Sequence, residues 1–319
     1  MYKSLRRLLA LVLPFIILLG LAGCATSPPK EKVVTQVVTP EMANERLAII
    51  VRAQAFEQTL GWSTTDNFHV YSDKQLAYKQ CFYTQEFSLT LEYLEPGKSC
   101  STLTGQSDIF EYDAEALATI KTPLLPTLAR APLPRFLNVV FHEDFHEQVR
   151  GIQTRELDES ATTLMGLLAS RDFAGKRYGV DSEVAKKLSS DVEGQLASSR
   201  MLIAYHERLT KLYAGVAEGR VSAAVARTEK ARLYAEMKTA CKDIAMVTIR
   251  SCTQIGDNAL LSFQFAYAMH YPMFYDLYLA CGKDTKRTGQ LIVLHADEGV
   301  IESIFVLRIN DDIANRCAP

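Results

Sequence analysis

"VVFHEDFHEQV", residues 139–149, sets two histidines four positions apart, with a glutamate directly after the first. On an α-helix, residues i and i+4 share a face, so His142 and His146 can direct two imidazoles at one metal ion. Glu143 sits about 100° further round. That is a poor place for a third ligand and a good one for reaching a water held by the ion. Zinc lowers the pKa of such a water, and a neighbouring carboxylate takes its proton as the water attacks a carbonyl. The plain alternative is an ordinary helix whose histidines are hydrogen-bonded within the core. Val139, Val140, Phe141, Phe145 and Val149 give the helix an apolar side, so it is packed, and packed ring nitrogens need partners.

A third ligand has to come from the next element. Glu159 lies 13 residues past His146, at the start of a following helix and beyond a turn at Gly151. Two antiparallel helices joined this way bring Glu159 opposite the histidine pair, leaving the fourth position for water. Hydrolysis also needs a donor for the oxyanion that forms on the attacked carbonyl. The aromatic run at 257–275 offers Tyr267, His270 and Tyr271. His69, His206 and His295 have no partner pattern.

Outside this region the elements alternate. Glu41–Leu60 has helical periodicity, and "NFHVY", "QCFYTQEFSLTLEYL" and "SDIFEYD" are β-prone stretches separated by turns. Residues 122–134 carry four prolines and read as extended or irregular. Helices follow at about 134–151 and 158–178. Stretches 183–214 and 220–247 read as a long antiparallel hairpin, and a further helix as about 257–281. The end, "GQLIVLHA" and "VIESIFVLRI", reads as strands. The fold expected is α+β and predominantly helical, with small β elements in its N- and C-terminal parts.

The first 24 residues read as an export signal. Lys3, Arg6 and Arg7 precede a short apolar run, and "LAGC" (21–24) has the form of a lipobox, with cleavage before Cys24 and lipid on its thiol. The expected organisation is a signal peptide at 1–23, then the lipidated Cys24 and a flexible tether at 24–40. A single metallopeptidase-like domain follows at 41–319: a mixed α/β lead-in (41–130), a helical catalytic core (135–290) and a β-hairpin (290–319). The expected location is the outer membrane, facing the periplasm, with membrane attachment through Cys24. Without the leader, 296 residues carry a net charge near −5. No basic stripe with interleaved aromatics is present, which speaks against nucleic acid as a partner. The six remaining cysteines form no CxxC pair and suit an oxidising compartment. They allow 15 pairings, of which the nearest-neighbour set Cys81–Cys100, Cys241–Cys252 and Cys281–Cys317 is the simplest.

With these residues in view, the chain resembles the bacterial predicted-aminopeptidase lipoproteins, a gluzincin-like group of zinc metallopeptidases. The family's HExxH motif is kept at His142, Glu143 and His146, although its "HELAHQ" reads "HEDFHEQ" here. Its "NESFA" corresponds to "DESAT" (158–162), which puts Glu159 on the family glutamate and Asp158 in place of an asparagine. "DNALLSFQFAY" and "YPMFYDLY" match the downstream pattern and put Tyr267 on the family tyrosine. The resemblance runs from about 135 to 290. It implies a zincin-like HExxH helix packed on a second helix, Zn2+ held by His142, His146 and Glu159, Glu143 as general base and Tyr267 as oxyanion donor. It further implies a peptide or protein substrate, cleaved as by an aminopeptidase, with Glu147, Glu156 or Asp158 to recognise its amine. The alternatives are an envelope endopeptidase acting on proteins or cell-wall peptides, and a non-catalytic envelope scaffold.

Overall fold

A computed structural model describes residues 37–95, 98, 100–103, 107–117, 121–244, 246 and 252–317. The chain from Val38 onward packs as one unit, predominantly helical with a small sheet near its N-terminal end. Helix α1 (Pro40–Leu60) starts at Thr39, whose hydroxyl accepts from Met42 N, and stops at Gly61 in the left-handed region. Strands β1 (Tyr78–Gln85), β2 (Glu92–Tyr93) and β3 (Ser107–Ala114) form an antiparallel sheet in the order β2-β1-β3, with Phe82 opposite Phe110. "NFHVY" does not join it. Phe68 and Val70 instead bond to the backbone of Thr122 and Leu124, and only Tyr71 makes a bridge. The proline-rich segment is extended there and then turns into α2 (Pro126–Arg130), a short helix opened by Pro126.

The central helix is α3 (Leu133–His146). Leu137, Val140, Phe141, Asp144 and Phe145 are all fully buried, at the i, i+3, i+4, i+7, i+8 spacing of one helix face. Trp62 packs on Phe145 at 4.8 Å and on Phe141 at 6.2 Å. The helix ends at His146, earlier than the expected stop near Gly151. Gln148 causes this. Its side chain donates to Asp144 O and Ser63 O and accepts from Ser63 N, while its backbone N–H turns back to Phe145 O. Helix α4 (Arg155–Tyr178) then runs back along α3. At Gly166 a Cβ would lie 3.0 Å from the Cα of His142, so the two backbones approach closely at the histidine itself.

Helices α5 (Glu183–Ala217) and α6 (Ala223–Ala240) follow, joined across their flanks by Arg208 and Glu236. The helix expected over 257–281 is two, α7 (Asn258–Ala268) and α8 (Tyr271–Ala280). Pro272, which has no N–H to give to a preceding turn, opens the second. The C-terminal β-hairpin expected over 290–319 is also corrected. Those residues form α9 (Thr285–His295) and α10 (Glu302–Ala314). Asp284 caps the first, and Phe305 and Ile309, four apart and fully buried, make one face of the second. Burial on a helical face overrides the β-branched character of the segment.

The six cysteines form Cys81–Cys100, Cys241–Cys252 and Cys281–Cys317, and none of the bridges involves α3 or α4. The expected membrane attachment and outer-membrane placement are corrected at this point. Among the described residues every cysteine is consumed in a disulfide, leaving no thiol to carry lipid. No described helix is long and apolar enough to cross a membrane. Cys24 and the expected leader and tether up to residue 36 lie outside the described residues.

Candidate metal centre

A cleft of about 1380 Å³ runs between the sheet and helices α3, α4, α5 and α7. The face of α3 opposite its buried stripe presents His142, Glu143 and His146 to it. From α4 come Asp158 and Glu159, and from α7 comes Tyr267. His142 Nε2 and His146 Nε2 lie 3.2 Å apart, and Glu159 Oε2 lies 3.3 Å from the first and 3.7 Å from the second. These three side chains form a group that could hold a metal ion, with one ligand atom from each within 4.8 Å of the others.

The fit to a cation can be judged from the atoms themselves. Glu159 Oε2 is buried and, despite its closeness to His142, has no partner in hydrogen-bond geometry. Two imidazole nitrogens and this oxygen converge with their lone pairs, an arrangement that is unfavourable unless positive charge lies among them. The ionisation of the group agrees. Burial opposes charge on His146, yet its hydrogen bond to Asp158 and the carboxylates of Asp158, Glu159 and Glu143 raise its pKa to about 10. Burial likewise opposes charge on Glu159, yet the nearby His142, then His146 and Arg155, lower its pKa to about 2. A proton on His146 is thus one way the group gathers positive charge, and a metal ion in its place is another. One nitrogen-rich, three-residue donor set with room for a further ligand suits zinc.

The surroundings fix these groups. Asp158 Oδ1 lies 2.9 Å from His146 Nδ1, setting the tautomer that leaves Nε2 free to bind. Ser160 Oγ donates to Ala266 O and accepts from His270 N, tying α4 to the α7–α8 junction. Tyr267 stacks over His142 at 6.1 Å. Burial, then the charge of Glu159, pushes its hydroxyl well above the usual range, so it stays a donor. Glu143 lines the cleft, and its charge acts on both His146 and Tyr267.

The other expected candidates are placed elsewhere. His270 bonds Glu302 at 3.0 Å, and the fully buried Tyr271 donates to Val192 O. His295 pairs with Asp312, and His206 stacks on Phe265 at 3.7 Å. Of the three acids considered for amine recognition, Asp158 is held by His146, Glu147 pairs with Arg150 at the cleft, and Glu156 is not part of the lining. Two residues escaped the sequence reading. Arg155 enters the cleft one turn before Glu159, a spacing that could have flagged it. Asp144, inside the motif, faces away from the cleft and accepts from Thr65 at 2.6 Å and Asn67 at 3.0 Å.

Fold and site together define a helical protein with a candidate hydrolytic metal centre at the floor of an open cleft. The chain belongs to the family described as "Putative aminopeptidase", whose model matches residues 111–295. No curated protein and no solved structure matches it. Family and His/His/Glu group together support a peptidase-like function.

Proposed function

We propose that this protein is a zinc-dependent peptidase acting as an aminopeptidase, with a zincin-like pair of helices, α3 and α4, at its centre. The observation that carries this reading is the convergence of His142 Nε2, His146 Nε2 and Glu159 Oε2 in the cleft of a chain from an aminopeptidase family. These three residues would hold the ion. When bound, zinc supplies Lewis acidity, which polarises the scissile carbonyl and makes water a nucleophile at neutral pH. Glu143, next to His142 on the cleft face, takes the proton from the attacking water and passes it to the leaving amine. Tyr267, kept protonated, donates to the oxygen on which negative charge develops. Asp158 does not react; it orients His146 and supports the positive charge gathered there.

The test begins with elemental mass spectrometry of the full chain and of Glu159→Ala. About one zinc per chain, lost from a variant with unchanged circular dichroism, is expected. Alanine p-nitroanilide should then be cleaved and its N-acetylated form spared. Equal cleavage of both would make the protein an endopeptidase, and a chain that takes up no zinc would end the reading.

A further inference from the structure

Three arginines line the cleft: Arg135, Arg150 and Arg155. The first two are matched by carboxylates of their own. Arg135 holds Glu115 through Nε at 2.9 Å and Nη2 at 2.7 Å, and Arg150 pairs with Glu147. Arg155 differs. Its Nε stands 4.0 Å from Glu159 Oε1, beyond hydrogen-bond reach, and it donates no hydrogen bond to any described residue. Its guanidinium lies instead over the rings of Phe263, at 5.0 Å, and Phe82, at 5.6 Å.

That arrangement orients the planar group while leaving its N–H donors unspent, because a ring face attracts the charge without accepting the fork of hydrogens. The side chain is also more open than its neighbour, 36% exposed against 16% for Glu159. A guanidinium carries its charge at any working pH, and its forked donors match the two oxygens of a carboxylate. Held one helical turn from Glu159, the fork stands beside a candidate metal ligand, and so near any substrate group that the centre would draw in.

Resting on the peptidase reading above, we propose that Arg155 is a specificity-determining residue that binds a carboxylate of the substrate close to the bond to be cut. Two kinds of peptide place a carboxylate there. A short peptide brings its free C-terminus, and a longer one brings an aspartate or glutamate side chain. In either case the enzyme selects acidic groups that a cleft already holding Glu143, Glu147, Asp158 and Glu159 would otherwise repel.

The test is a binding measurement on the full chain, made by calorimetry with and without chelator so that it does not depend on turnover. The probes are alanyl-alanine, alanyl-alaninamide and alanyl-glutamic acid α-amide. At least one of the two carboxylate-bearing probes should bind about tenfold more tightly than alanyl-alaninamide, as expected for a forked charge-assisted contact. Whichever does so identifies the source of the carboxylate. In Arg155→Gln the preference should fall to within about twofold, and Arg155→Lys, which keeps the charge without the fork, should retain part of it. Equal affinity or no binding for all three probes would overturn the proposal. So would a preference that survives in Arg155→Gln, or a loss in that variant matched by a lower melting temperature and equal for every probe. Persistent carboxylate preference in a chain that hydrolyses nothing when loaded with zinc would remove the peptidase reading and leave this site standing.

Discussion

Asp158 Oδ1 stands 2.9 Å from His146 Nδ1, so the residue directly before one metal-ligand candidate steers the ring of another. Asp158→Ala should weaken zinc binding by about 10- to 100-fold with little change in fold. Asp158→Asn keeps an acceptor for the ring N–H and removes the charge, so its loss should be smaller. Competition with a chelator of known affinity measures both. Unchanged affinity in Asp158→Ala would show that the contact does not tune the site.

Glu143→Gln keeps the shape of the side chain and removes its basicity. Zinc content should match the unmodified chain, while hydrolysis falls by about 100-fold or more. Single-turnover assays on zinc-loaded protein check this, and normal turnover would assign the proton transfer to another group.

Tyr267→Phe deletes one hydroxyl beside His142. The loss should appear in kcat, by about 100-fold, with KM little altered, because the contact forms only as charge develops on the substrate oxygen. Steady-state kinetics separate the two constants. A rise in KM at constant kcat would make Tyr267 a binding residue instead.

Gly166→Ala places a methyl group 3.0 Å from the Cα and Cβ of His142. Both atoms are close to the backbone, so α3 and α4 must separate slightly. The expected cost is about 1–3 kcal/mol in urea unfolding, together with weaker zinc binding, since two of the candidate ligands ride on α3 and the third on α4. A variant as stable as the parent would mean that the helices part freely at this point.

Glu57 gives a prediction in pH. Burial, then the charge of Asp144, pushes its carboxyl well above the usual value of 4.5. The folded chain therefore keeps a proton that the unfolded chain releases. This contribution is fully present below pH 4.5 and is lost as pH rises toward the folded pKa. In Glu57→Gln an amide N–H replaces that proton. The stability of the variant minus that of the parent chain should therefore grow between pH 5 and pH 8. Urea midpoints across that range measure the difference, and a flat difference would show that Glu57 ionises freely.

Much of the centre was legible because its signals are local. Two histidines at helix spacing, a glutamate 13 residues on and six cysteines bridging to their nearest neighbours each depend on short stretches of chain. What escaped depends on distant partners. The apolar run at 301–309 reads as strand until the core receives Phe305 and Ile309 on one helical face. Asp144 looks like an odd substitution inside the motif until Thr65 and Asn67 are seen donating to it. Arg155 is an ordinary first-turn arginine until β1 and α7 bring Phe82 and Phe263 beneath it.

The placement of the three disulfides, all clear of α3 and α4, gives the experimenter two independent handles. Reductant frees the connection between β2 and β3 from the central strand β1, and loosens the connection after α6 and the C-terminal helix, whereas a chelator acts on the centre alone. Protein prepared in a reducing medium should therefore still take up zinc, if the centre binds it as proposed, while these links are slack. The gap in turnover between reduced and oxidised preparations then reads how much the walls of the cleft add to the work of the ligands.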